Sequence, residues 1–117
     1  MEIVVGGQID KQKIADLACS IAKDKANVRV MGDIEAAMAV KNGDADIYLG
    51  ACNTGGGGAL AMAIALLGMN QCATISMPGT IKSETEIAAE VKAGKKAFGF
   101  TAQHIETLVP LILKYLL

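Results

Sequence analysis

Short strand-like runs of apolar residues alternate along this chain with longer segments in which apolar residues recur every three or four positions. The strand-like runs cover residues 3–5, 28–31, 47–49, 73–75 and 97–100. This alternation predicts parallel strands whose connecting helices cover both faces of one sheet. We expect a three-layer α/β/α fold, Rossmann-like or flavodoxin-like, with a five-stranded parallel sheet in the order 2-1-3-4-5.

Residues that begin and end helices stand at the predicted joints. Side chains able to accept a backbone hydrogen bond precede four of the helical segments, namely Asp10, Asp33, Ser83 and Thr101. Glu86 follows Ser83 at the spacing of a capping box, and Gly43 and Gly94 are expected to end helices. The joints are short and contain no linker, so residues 1–117 are predicted to form a single α/β domain.

Charge and composition argue against several classes of partner. The formal net charge is −1, Arg29 is the only arginine and aromatic residues make up 3% of the chain. Nucleic-acid binding is not expected, because phosphate and base recognition relies on arginine and aromatic side chains. The longest apolar run, residues 59–67, is far shorter than the roughly 20 residues of a membrane-spanning helix. Three cysteines without a CxxC pair, and no signal peptide, favour the cytoplasm.

A glycine-rich segment, residues 50–58, follows the third strand and opens the third helix. Four successive glycines, Gly55 to Gly58, are costly to order, which is explained if the backbone approaches a ligand closely. Bare amides and the positive end of the following helix favour an anion. The segment fits neither the P-loop nor the dinucleotide-binding motif, so no cofactor is expected. The alternative is a tight turn that packs the helix on the sheet.

Polar side chains beside these glycines are the candidate ligand contacts, with the residues Asn53, Thr54, Gly55, Gly56, Gly57 and Gly58 as the predicted binding set. Cys52 is the candidate for chemistry, because a thiol near a helix N-terminus can be stabilised as a thiolate; the alternative is a small buried hydrophobic residue. His104, expected in the first turn of the last helix, is a second candidate base, and the alternative is an ordinary surface histidine. One histidine and three dispersed cysteines give no metal-ligand spacing, so no metal site is expected.

The third helix, predicted over residues 59–67, is apolar on every face. A surface helix would carry a polar side. We expect it to be covered by its own copy in a homodimer, and the alternative is burial beneath the C-terminal helix.

Two resemblances accompany these patterns. Residues 35–41, 50–55 and 97–99, followed by His104, resemble the YhfU-like family of uncharacterised bacterial proteins, a domain of unknown function. Residues 42–46 and 52–57 are similar to part of the ribose-5-phosphate isomerase B and galactose-6-phosphate isomerase family. That resemblance implies Cys52 as a base and Thr54, Gly55 and Gly57 as oxyanion donors. Asn53 replaces that family's glycine, and its aspartate–histidine pair and phosphate-binding arginines are absent.

The leading hypothesis is a domain that binds a small anionic or polar molecule, bearing phosphate or carboxylate, on the glycine-rich loop after strand three. One alternative is a sugar-phosphate isomerase-like enzyme with Cys52 as its base. Another is a non-catalytic structural subunit of a larger assembly.

Overall fold

The computed structural model describes residues 1–53 and 56–117, and of residues 56–59 it describes only the helical backbone. The strands are β1 (Glu2–Gly7), β2 (Asn27–Val30), β3 (Ile47–Cys52), β4 (Cys72–Thr74), β5 (Ser76–Met77), β6 (Thr80–Ile81) and β7 (Ala97–Thr101). The α-helices are α1 (Lys11–Ala22), α2 (Asp33–Lys41), α3 (Gly56–Leu67), α4 (Glu84–Lys92) and α5 (Ile105–Leu116). Single 3-10 turns span Lys23–Lys25, Met69–Gln71 and Ala102–His104.

The main sheet has five parallel strands in the order β2-β1-β3-β7-β4, and β5 and β6 form a separate antiparallel hairpin. The α/β class and the five-stranded parallel sheet are therefore confirmed. The predicted order of the last two main strands is wrong. The final strand, β7, lies beside β3, and β4 lies at the edge.

The composition of β7 explains its central position. All five of its residues are buried, and Phe98 and Phe100 are both 0% exposed. Such a strand is most favourable where helices cover both of its faces and strands pair with both of its edges. The shorter β4 ends in the half-buried Thr74 and leaves the sheet for the hairpin, as suits an edge strand.

The helices divide between the two faces of the sheet. Helices α1, α4 and α5 pack together on one face, over Phe98 and Phe100. Helices α2 and α3 pack on the other, over Tyr48 and Ala97. The connections that run toward the β4 edge of the sheet contain α2 and α3, and those that run toward the β2 edge contain α1 and α4. Because all these crossovers have the same hand, the two groups of helices lie on opposite faces. The proposed burial of α3 beneath α5 is therefore wrong.

The predicted helix ends have mixed outcomes. The capping box is confirmed, since Ser83 Oγ accepts from the Glu86 amide at 3.2 Å and Glu86 Oε1 accepts from the Ser83 amide at 2.9 Å. Gly43 and Gly94 follow α2 and α4 with positive φ, as predicted. Asp10 precedes α1, but its side chain makes no cap hydrogen bond. Asp33 lies inside α2 and bonds elsewhere.

No helix within the described ranges is both long and apolar enough to cross a membrane.

Candidate functional site

The carboxyl ends of β1, β3 and β7 lie side by side, and the chain leaves them toward different faces. Helices α1 and α5 follow β1 and β7 on one face, and α3 follows β3 on the other. A crevice opens wherever neighbouring strands diverge in this way, and open α/β sheets bind ligands at such points. The observed strand order therefore predicts two candidate crevices at the end of β3, one on each side of it.

The crevice between β1 and β3 is occupied by the protein itself. The Tyr48 hydroxyl donates to Asp33 Oδ1, which also accepts from the Gly7 amide at 3.3 Å. Burial, reinforced by the hydrogen bond to Asp33 and by its charge, raises the pKa of Tyr48, so the phenol remains a donor. The amides of Gln8 and Ile9 both point to the carbonyl of Ala51, at 3.0 and 3.4 Å. These two amides are therefore not available to a ligand.

Glycines at matched positions make room for the Tyr48 ring. Gly6 pairs with Gly50, which in turn pairs with Gly99 of β7. A Cβ on Gly6 would lie 2.7 Å from Cε2 of Tyr48, and one on Gly50 would lie 3.0 Å from Cε1. The aromatic ring therefore lies flat against the sheet on its α2/α3 face, a position that side chains on these two strands would exclude.

The candidate crevice between β3 and β7 is bordered by a buried polar atom. Thr101 ends β7 and pairs with Cys52, the last residue of β3. The side chain is 2% exposed, and Thr101 Oγ1 has no hydrogen-bond partner among residues 1–53 and 56–117. Leaving a buried hydroxyl unpaired costs about 1–3 kcal/mol, and folded proteins leave few such groups. This atom therefore calls for an explanation.

Thr101 was predicted to cap the last helix, and that prediction is wrong. A 3-10 turn, Ala102–His104, separates it from α5, and its side chain accepts no cap hydrogen bond. Paired residues of parallel strands point to the same face. Cys52 lies on the same face of β3 as Tyr48 and Gly50, because every second residue of a strand points the same way. The hydroxyl of Thr101 therefore points to the α2/α3 face, where α3 begins at Gly56.

The predicted binding residues do not form one continuous loop in the structure. Cys52 is 0% exposed and Asn53, which follows it, is exposed. Thr54 and Gly55 lie outside the described residues. Gly56, Gly57 and Gly58 form the first turn of α3 instead of a loop. The first amides of a helix have no partner within it, so this position preserves the donors that an anion requires.

Ser76 is a polar residue of this edge that sequence reasoning missed. Its Oγ accepts from the Thr101 amide at 2.9 Å and lies 3.0 Å from Nδ1 of His104. His104 was predicted in the first turn of the last helix and lies immediately before it. No local pattern indicates the pair, because residues 76 and 104 meet only when β7 lies next to β4.

Metal and disulfide chemistry receive no support from the residues that the structure describes. No group of three or more metal-binding side chains occurs among them. Cys19 is exposed, because the buried face of α1 is formed by Ile14, Ala15, Ala18 and Ala22. Cys72 is buried and forms no disulfide.

Comparisons with known proteins place the chain in a family. A family model described as a protein of unknown function, DUF2620, matches residues 1–116. The chain is 45% identical over 89 residues to the uncharacterized protein YhfU of Escherichia coli (strain K12), covering 76% of each chain. The uncharacterized protein YhfU of Shigella flexneri matches with the same identity and coverage. The resemblance to the YhfU-like family is confirmed, and the chain belongs to the DUF2620 family of proteins of unknown function.

Proposed function

We propose that this protein binds a small molecule carrying a phosphate or carboxylate group in the crevice between β3 and β7. The anionic group accepts from the amides of residues 55–58, and the Thr101 hydroxyl donates to a neighbouring oxygen of the same molecule. The observation that supports the proposal is the buried, unpartnered Oγ1 of Thr101 at the end of β7. A ligand oxygen would give this atom the hydrogen bond that the described protein residues do not.

The segment on the β3 and α3 side of the crevice carries no negative charge that would oppose an anionic ligand. Residues 47–81 contain no acidic residue, so β3, α3 and β4 carry no carboxylate to repel an anion. The same segment contains no lysine or arginine, so recognition would rest on amides, hydroxyls and the positive end of α3. A helix of this length, Gly56–Leu67, has the aligned peptide dipoles that such recognition needs.

A thermal-shift screen with sugar phosphates, inorganic phosphate and small carboxylates tests the proposal. A ligand at 100 times its dissociation constant adds about 2.7 kcal/mol of stability, which is readily measured. Thr101→Val should then weaken that ligand by about threefold to tenfold, since a hydrogen bond between neutral groups contributes about 0.5–1.5 kcal/mol. The exposed Thr107 of α5 supplies the control, Thr107→Val. Equal affinity of the two variants would reject the site.

The isomerase alternative rests on Cys52, which ends β3 directly beside Thr101. In that proposal the thiolate moves a proton between adjacent carbons of a sugar phosphate. A variant at Cys52 can then lose turnover and still bind the ligand. Cys52→Ser should keep affinity for a ligand found in the screen and abolish deuterium exchange from solvent into an aldose or ketose phosphate. Unchanged exchange in the variant, or none in the wild type, would remove Cys52 as a base.

We further propose that α3 mediates a homodimer, the assembly that the structural-subunit alternative also requires. Ala61 and Ala65 are exposed on this helix, and Ile64 is only partly buried. Ala65→Glu adds a charge at an exposed position, so it should leave a monomer folded and separate a dimer held through α3. Leu117→Glu, at the end of α5 on the opposite face, is the control. Light scattering that gives one mass for all three proteins would refute this interface.

The cytoplasm remains the proposed location, since Cys19 and Cys72 are not joined in a disulfide.

A further inference from the structure

A second small cavity lies at the same edge of the sheet, where the chain leaves β4 for the hairpin of β5 and β6. Its volume is about 100 Å³. It is lined by Thr74, Ile75, Ser76, Met77, Thr80 and Lys82. Three of these side chains carry hydroxyls, one carries an ammonium group and none is acidic. A liquid water occupies roughly 30 Å³, so the cavity has room for a group of a few heavy atoms.

Lys82 brings a positive charge to this cavity. Its side chain is half-buried, and it makes no ion pair or hydrogen bond with the residues the structure describes. The hydrogen bonds of Glu86, four residues further along the chain, go to Ser83, and these bonds together with the nearby charge of Lys82 lower the pKa of the Glu86 carboxyl. The ammonium group of Lys82 therefore lies near a carboxylate but makes no direct contact with it, and it can still bind a negatively charged occupant.

Ser76 connects the cavity to the histidine. Its Oγ uses one lone pair to accept from the Thr101 amide, and its remaining contact is with His104 Nδ1. The Ser76 hydroxyl donates to Nδ1 when the ring proton of His104 stands on Nε2, and Oγ accepts from Nδ1 when that nitrogen carries the proton. An acceptor inside the cavity can take the hydroxyl hydrogen while the contact with His104 is kept only in the second arrangement. The occupancy of the cavity and the tautomer of His104 are therefore coupled.

We propose that this cavity is a binding site for a small oxyanion, a carboxylate or phosphate group, held by Lys82, Thr80 and Ser76. Binding shifts the ring proton of His104 from Nε2 to Nδ1. The site is separate from the crevice between β3 and β7, since it lies on the β4 side of the Thr101 amide and uses none of the glycines.

Because His104 is the only histidine of the chain, its imidazole ¹⁵N signals report the tautomer without assignment. Inorganic phosphate and acetate are titrated separately at constant ionic strength. The free protein should show the Nε2–H form, and the preferred anion should move the signals toward the Nδ1–H form. The anion that shifts the histidine signals at the lower concentration identifies the preferred ligand group, phosphate or carboxylate. A histidine spectrum unchanged by both anions would overturn the proposal.

Substitutions at Lys82 provide the second measurement. Lys82→Met should weaken the preferred anion by about tenfold or more, and Lys82→Arg should keep the affinity within a few-fold. Lys25→Met, at an exposed lysine at the other end of the sheet, is the control for net charge. Equal loss in Lys82→Met and Lys25→Met would show general charge screening and reject the site. Thr101→Val should leave anion binding in this cavity unchanged. The proposal for this cavity and the proposal for the crevice between β3 and β7 can therefore be tested independently.

Discussion

Replacing Thr101 with valine should make the ligand-free protein more stable. Valine keeps the size and the β-branched shape of threonine and removes only the hydroxyl. That hydroxyl is buried, and no described residue accepts from it or donates to it. Removing a buried polar group that has lost its hydration without gaining a partner should therefore stabilise the fold by about 1–3 kcal/mol. For a chain of 117 residues, this corresponds to about 3–6 °C in Tm for each kcal/mol.

Urea denaturation followed by circular dichroism measures this effect directly. The midpoint should rise while the slope m stays unchanged, because the surface exposed on unfolding is the same. Two further variants test the reasoning. Thr107→Val, at an exposed site, should change stability by less than about 0.5 kcal/mol. Thr101→Ser keeps the hydroxyl but removes a buried methyl, so it should destabilise by roughly 0.5–1.5 kcal/mol.

Most substitutions destabilise a protein, which makes a gain in stability at Thr101 a demanding expectation. A loss of 1 kcal/mol or more in Thr101→Val would refute the reasoning, because it would mean that the hydroxyl is satisfied in the free protein. The support for a ligand in the crevice between β3 and β7 would then disappear. A gain in stability combined with weaker ligand binding is the signature of a polar atom retained for recognition.

The remaining predictions concern the packing around β1 and one helix end. Tyr48→Phe should lower stability by about 1–2 kcal/mol in urea denaturation, because it removes the donor to Asp33 and keeps the ring; an unchanged midpoint would contradict this. Gly6→Ala should cost about 1–3 kcal/mol, since its Cβ would lie 2.7 Å from the Tyr48 ring, and the loss should shrink in a Tyr48→Leu background. Ser83→Ala should cost about 1 kcal/mol through loss of the capping box with Glu86, and addition of Glu86→Gln to that variant should cost less than it does in the wild type.

Some features that depend on neighbours along the chain were predicted correctly. The capping box at Ser83 and the positive-φ glycines after α2 and α4 follow from local backbone chemistry. The capping roles assigned to Asp10, Asp33 and Thr101 failed, because a capping residue type is a weak signal when tertiary partners compete for it. Asp33 illustrates this, since its carboxylate accepts from Tyr48 and Gly7 in preference to its own helix.

For the candidate site, too, local features could be predicted from the sequence and contacts between distant residues could not. The position of the glycine-rich segment after the third strand, and therefore at the carboxyl edge of a parallel sheet, could be predicted because strands and helices alternate along the chain. The pairing of Ser76 with His104 could not, because it joins residues 28 positions apart. The crevice beside Thr101 was missed for the same reason, since it depends on which strand lies next to β3.

The sequence by itself determined the five strands of the main sheet, the helices and the parallel pairing, because periodicity and turn chemistry act over a few residues, but it did not indicate the hairpin of β5 and β6. Only the tertiary structure decided that the last strand lies between β3 and β4. Either order satisfies the connections locally, and the choice is made by burying Phe98 and Phe100 under three helices at once. That choice created the crevice at Thr101 and brought Ser76 to His104.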